Sequence, residues 1–225
     1  MNIANNILKH SLQNVYFLTG TALAGKTTMV TELSKKYGFV PYHEDWNGRS
    51  FTEFKSICDE KYQPQSTNRP NIDREAYYSR TVEEFLTEAD RAKSKNDSND
   101  EYIEFAIIDL IKLSQNDRVI TDLCIPIKLL TEISDYSRVA CMLASPELVN
   151  CENYGKRESH RAFLDMLLSL KEPQKKIAVQ DELFRIYVER TFDEVEKSKL
   201  FSIVRTEEST IENTLKLLEE HFQLI

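Results

Sequence analysis

Gly20-Thr21-Ala22-Leu23-Ala24-Gly25-Lys26-Thr27-Thr28 is the stretch whose reading decides the fold. It follows a short apolar run, Val15-Tyr16-Phe17-Leu18, and leads straight into residues with helical periodicity. Glycines permit backbone angles that a Cβ obstructs, and a turn entering a helix offers free N–H groups to an anion. Lys26 would reach the β- and γ-phosphates of a triphosphate, and the Thr27 hydroxyl would ligate Mg²⁺. Thr28 is expected in the first helical turn, beside the phosphates. The competing reading is a turn that binds nothing. Chance disfavours it: the chain has 5 glycines, and at that composition G-x-x-x-x-G-K-[ST] arises by accident in roughly one sequence per thousand of this length.

The flanks support the same reading. The run before Gly20 is short and apolar, as a buried parallel strand should be, so a strand is expected over residues 14–19. After Lys26, the residues Met29, Val30, Leu33 and Tyr37 recur at helical spacing, and Gly38 is placed to end a helix over 26–37.

Composition bounds the rest. A chain of 225 residues can bury one sizeable core, and one domain with an elaboration is expected. The apolar run over 103–113 is interrupted by Glu104 and Asp109, and the N-terminus has no cationic start with a small-residue cleavage site. A soluble, cytoplasmic protein without a membrane span is the expectation. Cys58, Cys124, Cys141 and Cys151 show no C-x-x-C spacing, which points to reduced thiols rather than a zinc site or a disulfide framework. The net charge of −8 argues against a nucleic-acid polymer as main partner, while a local basic cleft for one nucleotide is compatible with it.

Working outward, a short helix is expected in the first dozen residues, covering the sheet edge. A second strand over 39–43 ends in His43-Glu44-Asp45-Trp46, a polar cluster that would lie near the phosphate loop, because ligands bind beyond the carboxyl ends of parallel strands. Residues 47–100 read as an inserted, mostly helical section. It would hold a helix over 51–58, a loop over 63–73, one helix over 74–91 with Tyr78, Val82, Phe85, Leu86 and Ala89 on one face, and a mobile connection over 90–100. Ile107-Ile108-Asp109 superficially resembles a nucleotide-site strand. Its neighbours Ile103, Leu110, Ile111 and Ser114 keep helical spacing, so the third strand is placed at 118–122 instead, ending on Asp122. Pro126 opens a helix to 133, and a fourth strand spans 138–144. A helical piece over 159–170, a long helix over 181–199 and a fifth strand over 200–205 follow. The capping box Ser209-Thr210-Ile211-Glu212 begins the last helix. Alternating strands and helices after such a loop give a parallel sheet with helices on both faces.

With these residues in place, the chain resembles the P-loop kinases of the nucleoside monophosphate kinase and shikimate kinase type. The resemblance rests on GTALAGKTT after the first strand, VITD at the third, a helix-rich insert after the second, a basic lid-like stretch after the fourth, and TEESTIENT after the fifth. It implies a single three-layer α/β domain with a five-stranded parallel sheet ordered 2-3-1-4-5. Residues 47–100 would form an acceptor-binding insert, and 146–180 a lid closing over ATP. The insert matches no one acceptor, and the lid lacks a regular repeated-arginine signature.

Roles follow from that resemblance. Asp122 would hold Mg²⁺ through water next to Thr27, the plainer alternative being a turn former. Asp45, with Glu44 as alternative, would orient or deprotonate an acceptor hydroxyl; with a phosphate acceptor, these groups would bind sugar or base instead. Arg157 and Arg161, four apart on a helix, would clamp the transferring phosphoryl group, with Lys156 and His160 flanking them. Arg80 would bind an anionic acceptor, Trp46, Tyr77 and Tyr78 would stack on a base, and residues 206–209 would border the adenine. The expected activity is Mg-ATP-dependent phosphorylation of a nucleoside, nucleotide or other hydroxyl or phosphate acceptor; a toxin-like kinase acting on a cell-wall sugar nucleotide would differ only in acceptor. The alternative is a regulatory ATPase or switch whose insert contacts a protein. A Ras-type GTPase is disfavoured because no N-K-x-D motif is present.

Overall fold

The apolar run before the glycines forms β1 (Val15–Gly20), buried along its length until Gly20. The computed structural model describes residues 4–43, 73–94 and 99–225. In it, β1 is the central strand of a five-stranded sheet ordered β2-β3-β1-β4-β5, with β2 at Val40–Tyr42, β3 at Val119–Thr121, β4 at Val139–Ala144 and β5 at Phe201–Arg205. Every pairing is parallel. The loops that leave β1, β3 and β4 therefore emerge on one side of the sheet, where a ligand site can be assembled from several of them.

Side chains alternate between the two faces of each strand. Leu18, Ile120, Ala140 and Met142 pack against Met29, Val30 and Leu33 of α2 (Lys26–Tyr37) and Leu218 of α10 (Ile211–His221). Val15, Phe17, Val119 and Val139 turn the other way, against Ile103, Ala106 and Leu110 of α5 (Asn99–Leu113) and Leu130 and Ile133 of α6 (Ile127–Ile133). Each fully buried Leu, Ile or Phe contributes about 1.5–3 kcal/mol relative to exposure. The helix α2 ends at Gly38, in the left-handed region at φ 68°. Helix α1 (Asn5–Ser11) packs on α6, with Lys9 2.7 Å from Asp135, rather than covering the sheet edge.

Several boundaries differ from the sequence reading. The single helix expected over 74–91 is two, α3 (Arg74–Tyr78) and α4 (Val82–Ser94). Thr81 breaks it: its hydroxyl accepts from the Glu84 amide at 3.3 Å while Glu84 accepts from the Thr81 amide at 2.7 Å, a capping box that starts a new helix. Helix α4 runs to Ser94 and α5 begins at Asn99, inside the stretch expected as a connection. After α7 (Cys151–Gly155) and α8 (Glu158–Ser169), the long helix α9 spans Pro173–Ser198, beginning at Pro173 instead of residue 181. Proline needs no amide partner in the first turn, so it opens this helix rather than interrupting it. The cap of α10 is Thr210, which accepts from the Asn213 amide at 3.2 Å; Ser209 is used by the Thr206 amide at 2.9 Å. The expected helix over 51–58 and all but Asp73 of the expected loop over 63–73 lie outside the described residues. Among the described residues, no helix is long and apolar enough to cross a membrane.

Candidate functional site

Between β1 and α2 the chain makes an open loop held from beneath. The Thr21 amide donates to the Met142 carbonyl at 3.0 Å, and the Thr21 hydroxyl accepts from the Ala144 amide at 2.7 Å. Thr21 is thus spent on anchoring the loop to β4. Gly20 and Gly25 adopt φ of 121° and 89°, and Leu23 joins them at 61°. A non-glycine residue there costs about 1 kcal/mol, and Leu23 offsets it by burying its side chain in the core.

The loop walls a cavity of ≈ 140 Å³ to which Ala22, Leu23, Ala24, Gly25, Lys26 and Thr27 contribute. The Lys26 ammonium lies over the loop, donating to the Thr21 carbonyl at 2.7 Å. The opposite walls are Asp122 and Cys124, from the turn after β3, and Tyr154, Arg157 and His160, from the segment after β4. Thr28 is exposed in the first turn of α2.

Asp122 is fixed by its own turn. The Leu123 amide donates to the Thr121 hydroxyl at 3.2 Å, and the Thr19 hydroxyl on β1 donates to the Ile125 carbonyl at 3.3 Å. The Asp122 carboxylate, 3% exposed as a residue, accepts from the Thr27 hydroxyl at 2.6 Å. The same oxygen lies 3.2 Å from Nδ1 of His43, at the carboxyl end of β2. One acid, one hydroxyl and one imidazole from three elements thus meet, and two of them, Asp122 and Thr27, line the cavity. Asp109, set aside as a strand residue, lies buried in α5 and accepts from the Tyr42 hydroxyl at 3.0 Å.

Arg157 and Arg161 do not share a face. Arg157 is the N-cap of α8, with extended angles of φ −79° and ψ 133°, and lines the cavity. Arg161 lies inside the helix, 61% exposed, and pairs with Asp165 at 3.1 Å. The four-residue spacing rule requires both residues to be helical, and the cap breaks it. Lys156 is turned to Asn153 at 2.8 Å. Arg80 lies in the insert with its guanidinium carbon 4.1 Å from the Phe85 ring centre and 4.6 Å from that of Tyr77, and pairs with Glu88 at 2.5 Å. It lines a separate cavity with Glu83, Glu84, Thr87 and Glu88. Tyr77 and Tyr78 contact each other, Phe85 and Phe163, so their rings pack within the insert and against α8. Glu44, Asp45 and Trp46 lie outside the described residues.

Sequence reasoning passed over three groups at the site. Tyr154 and Cys124 line the cavity with no local motif to announce them, and the Tyr154 and His160 ring centres are 4.1 Å apart. Arg205, at the end of β5, donates from Nη1 to the Leu23 carbonyl. Compared with known proteins, the sequence matches no protein-family model and no curated protein.

Proposed function

We propose that this chain is a P-loop kinase that uses Mg-ATP to phosphorylate a small molecule bearing a hydroxyl or phosphate group. The observation that carries the reading is the contact between Thr27 and Asp122, 2.6 Å apart beside a loop with positive φ at Gly20, Leu23 and Gly25. The donor set fits a magnesium nucleotide. Mg²⁺ is commonly held by one or two protein groups with phosphates and water supplying the remainder; Thr27 would ligate it directly and Asp122 would hold it through water. When bound, Mg-ATP supplies an activated phosphoryl group and part of the charge compensation its transfer needs. Loop amides at residues 22–27 would bind the polyphosphate, Lys26 would leave the Thr21 carbonyl to meet it, and Arg157 would offset charge from the opposite wall. Tyr154 and His160 would restrict water on that side, which favours transfer over hydrolysis. His43, held beside Asp122, is the described residue closest in sequence to the expected acceptor groups at 44–46.

The test is transfer of labelled γ-phosphate to a panel of nucleosides, nucleotides and phosphorylatable alcohols. The reading expects at least one product formed faster than ATP is hydrolysed, and loss of that product in Lys26→Ala. Nucleotide binding with water as the sole acceptor across the panel would overturn it in favour of a regulatory ATPase.

A further inference from the structure

The Leu23 carbonyl is the least expected contact at this loop. It belongs to a residue at φ 61° whose side chain is buried in the core, and it accepts from the guanidinium of a residue four strands later in the chain. Arg205 is itself rigidly placed. It pairs with Ala144 across the β4–β5 ladder, and its carbonyl accepts from the Ser145 amide at 2.8 Å. Its side chain crosses the end of β4, with Cδ 4.0 Å from where a Cβ on Gly25 would stand.

Peptide geometry turns this contact into a consequence for the loop. The described chain has no cis peptide bonds, and in a planar trans peptide the C=O of one residue and the N–H of the next point in opposite directions. Arg205 is not among the residues that line the cavity, whereas Ala24 is; a guanidinium that draws the Leu23 carbonyl toward β5 therefore aims the Ala24 amide hydrogen the opposite way. Released, that peptide can rotate and present a partly negative oxygen to an incoming anion instead of a donor. The buried Leu23 side chain fixes one end of the same unit, so the guanidinium completes the restraint.

We propose that Arg205 is a positioning residue that presets the phosphate loop for a polyphosphate by holding the Leu23 carbonyl outward. The inference rests on the kinase reading of the loop and goes beyond it, because Arg205 acts on the loop and not on the nucleotide. Arginine suits this role because its charge is permanent and its planar fork holds an acceptor in a fixed direction. The effect falls on the phosphate portion of any ligand, whatever base it carries.

Calorimetric titration of wild type, Arg205→Ala and Arg205→Lys with a non-hydrolysable ATP analogue and, separately, inorganic tripolyphosphate, both with Mg²⁺, tests this. Thermal melts of the ligand-free proteins are run alongside. Arg205→Ala should lose about tenfold in affinity for both ligands, the scale of one charge-assisted hydrogen bond, with Arg205→Lys recovering part of it in both. Loss for the ATP analogue with unchanged tripolyphosphate binding would overturn the proposal in favour of a base contact. Equal affinities accompanied by a lower melting temperature would overturn it in favour of a purely structural role. If wild type binds neither ligand, the kinase reading itself fails; if wild type binds both and Arg205→Ala matches it, only the Arg205 inference fails.

Discussion

Gly20 has no room for a side chain. A Cβ there would lie 2.0 Å from the Met142 carbonyl oxygen, at a φ of +121° that L-residues rarely adopt. Gly20→Ala should therefore destabilise the protein by at least about 3 kcal/mol in urea unfolding, since both the clash and the dihedral oppose it; a loss within experimental error would show that the loop approaches β4 less closely. Cys124 offers a chemical probe of the cavity. It is exposed on the wall, whereas burial pushes the Cys141 thiol up to about 11 and also raises the Cys151 thiol, which has Asp181 beside it. In a Cys58→Ser background, Mg-ATP should slow iodoacetamide labelling of Cys124; an unchanged rate would separate nucleotide from this cavity. Lys26 and Thr27 are readable in the sequence as one motif and Asp122 as the end of a short β-branched run, and the structure brings Thr27 and Asp122 together. The pairing of Arg157 with Arg161 was misread because helical phase depends on where the cap falls, and the cap is Arg157. Tyr154, Cys124 and Arg205 reach the loop only through tertiary packing, which leaves no local pattern.

Among the elements, α10 carries a pH-sensitive contact. His221 lies 2.9 Å from the Val139 carbonyl and stacks on Phe201 at 4.1 Å, and burial lowers its pKa below the ordinary 6.5. A folded-state value below the unfolded one means that the unfolded chain takes up more protons between them. This contribution is complete above the unfolded value and is lost as pH falls through the folded one. In urea titrations, the stability advantage of wild type over His221→Gln should therefore shrink as pH falls from about 7.5 to about 5; a constant difference would mean that His221 is not held neutral. Elements with strong periodicity and a terminal glycine, such as α2, were read to the residue. Two boundaries with competing local signals were not: the Thr81 capping box splits one helix, and Pro173 lengthens another, whose N-cap makes no side-chain hydrogen bond. In the second case Lys176, 5% exposed and 2.6 Å from Glu75, ties the first turn of α9 to the insert helix α3.

Across the whole molecule, alternation of strand and helix sufficed to indicate a parallel α/β sheet, and the order β2-β3-β1-β4-β5 agrees with that implied by the family resemblance. That order sets β1 between β3 and β4, so the loop at 20–28 faces the turn holding Asp122 on one side and the segment holding Arg157 on the other. Three stretches far apart in sequence close on one cavity, and the charge on its walls follows from the topology. The central claim is that this cavity is shaped for a magnesium polyphosphate. Calorimetric titration of Mg-ATP into wild type and a folded Lys26→Ala variant tests it most directly: the account predicts saturable binding of one nucleotide per chain, weakened about a hundredfold by the substitution. Absence of binding to wild type, or equal affinity in the two proteins, would contradict it.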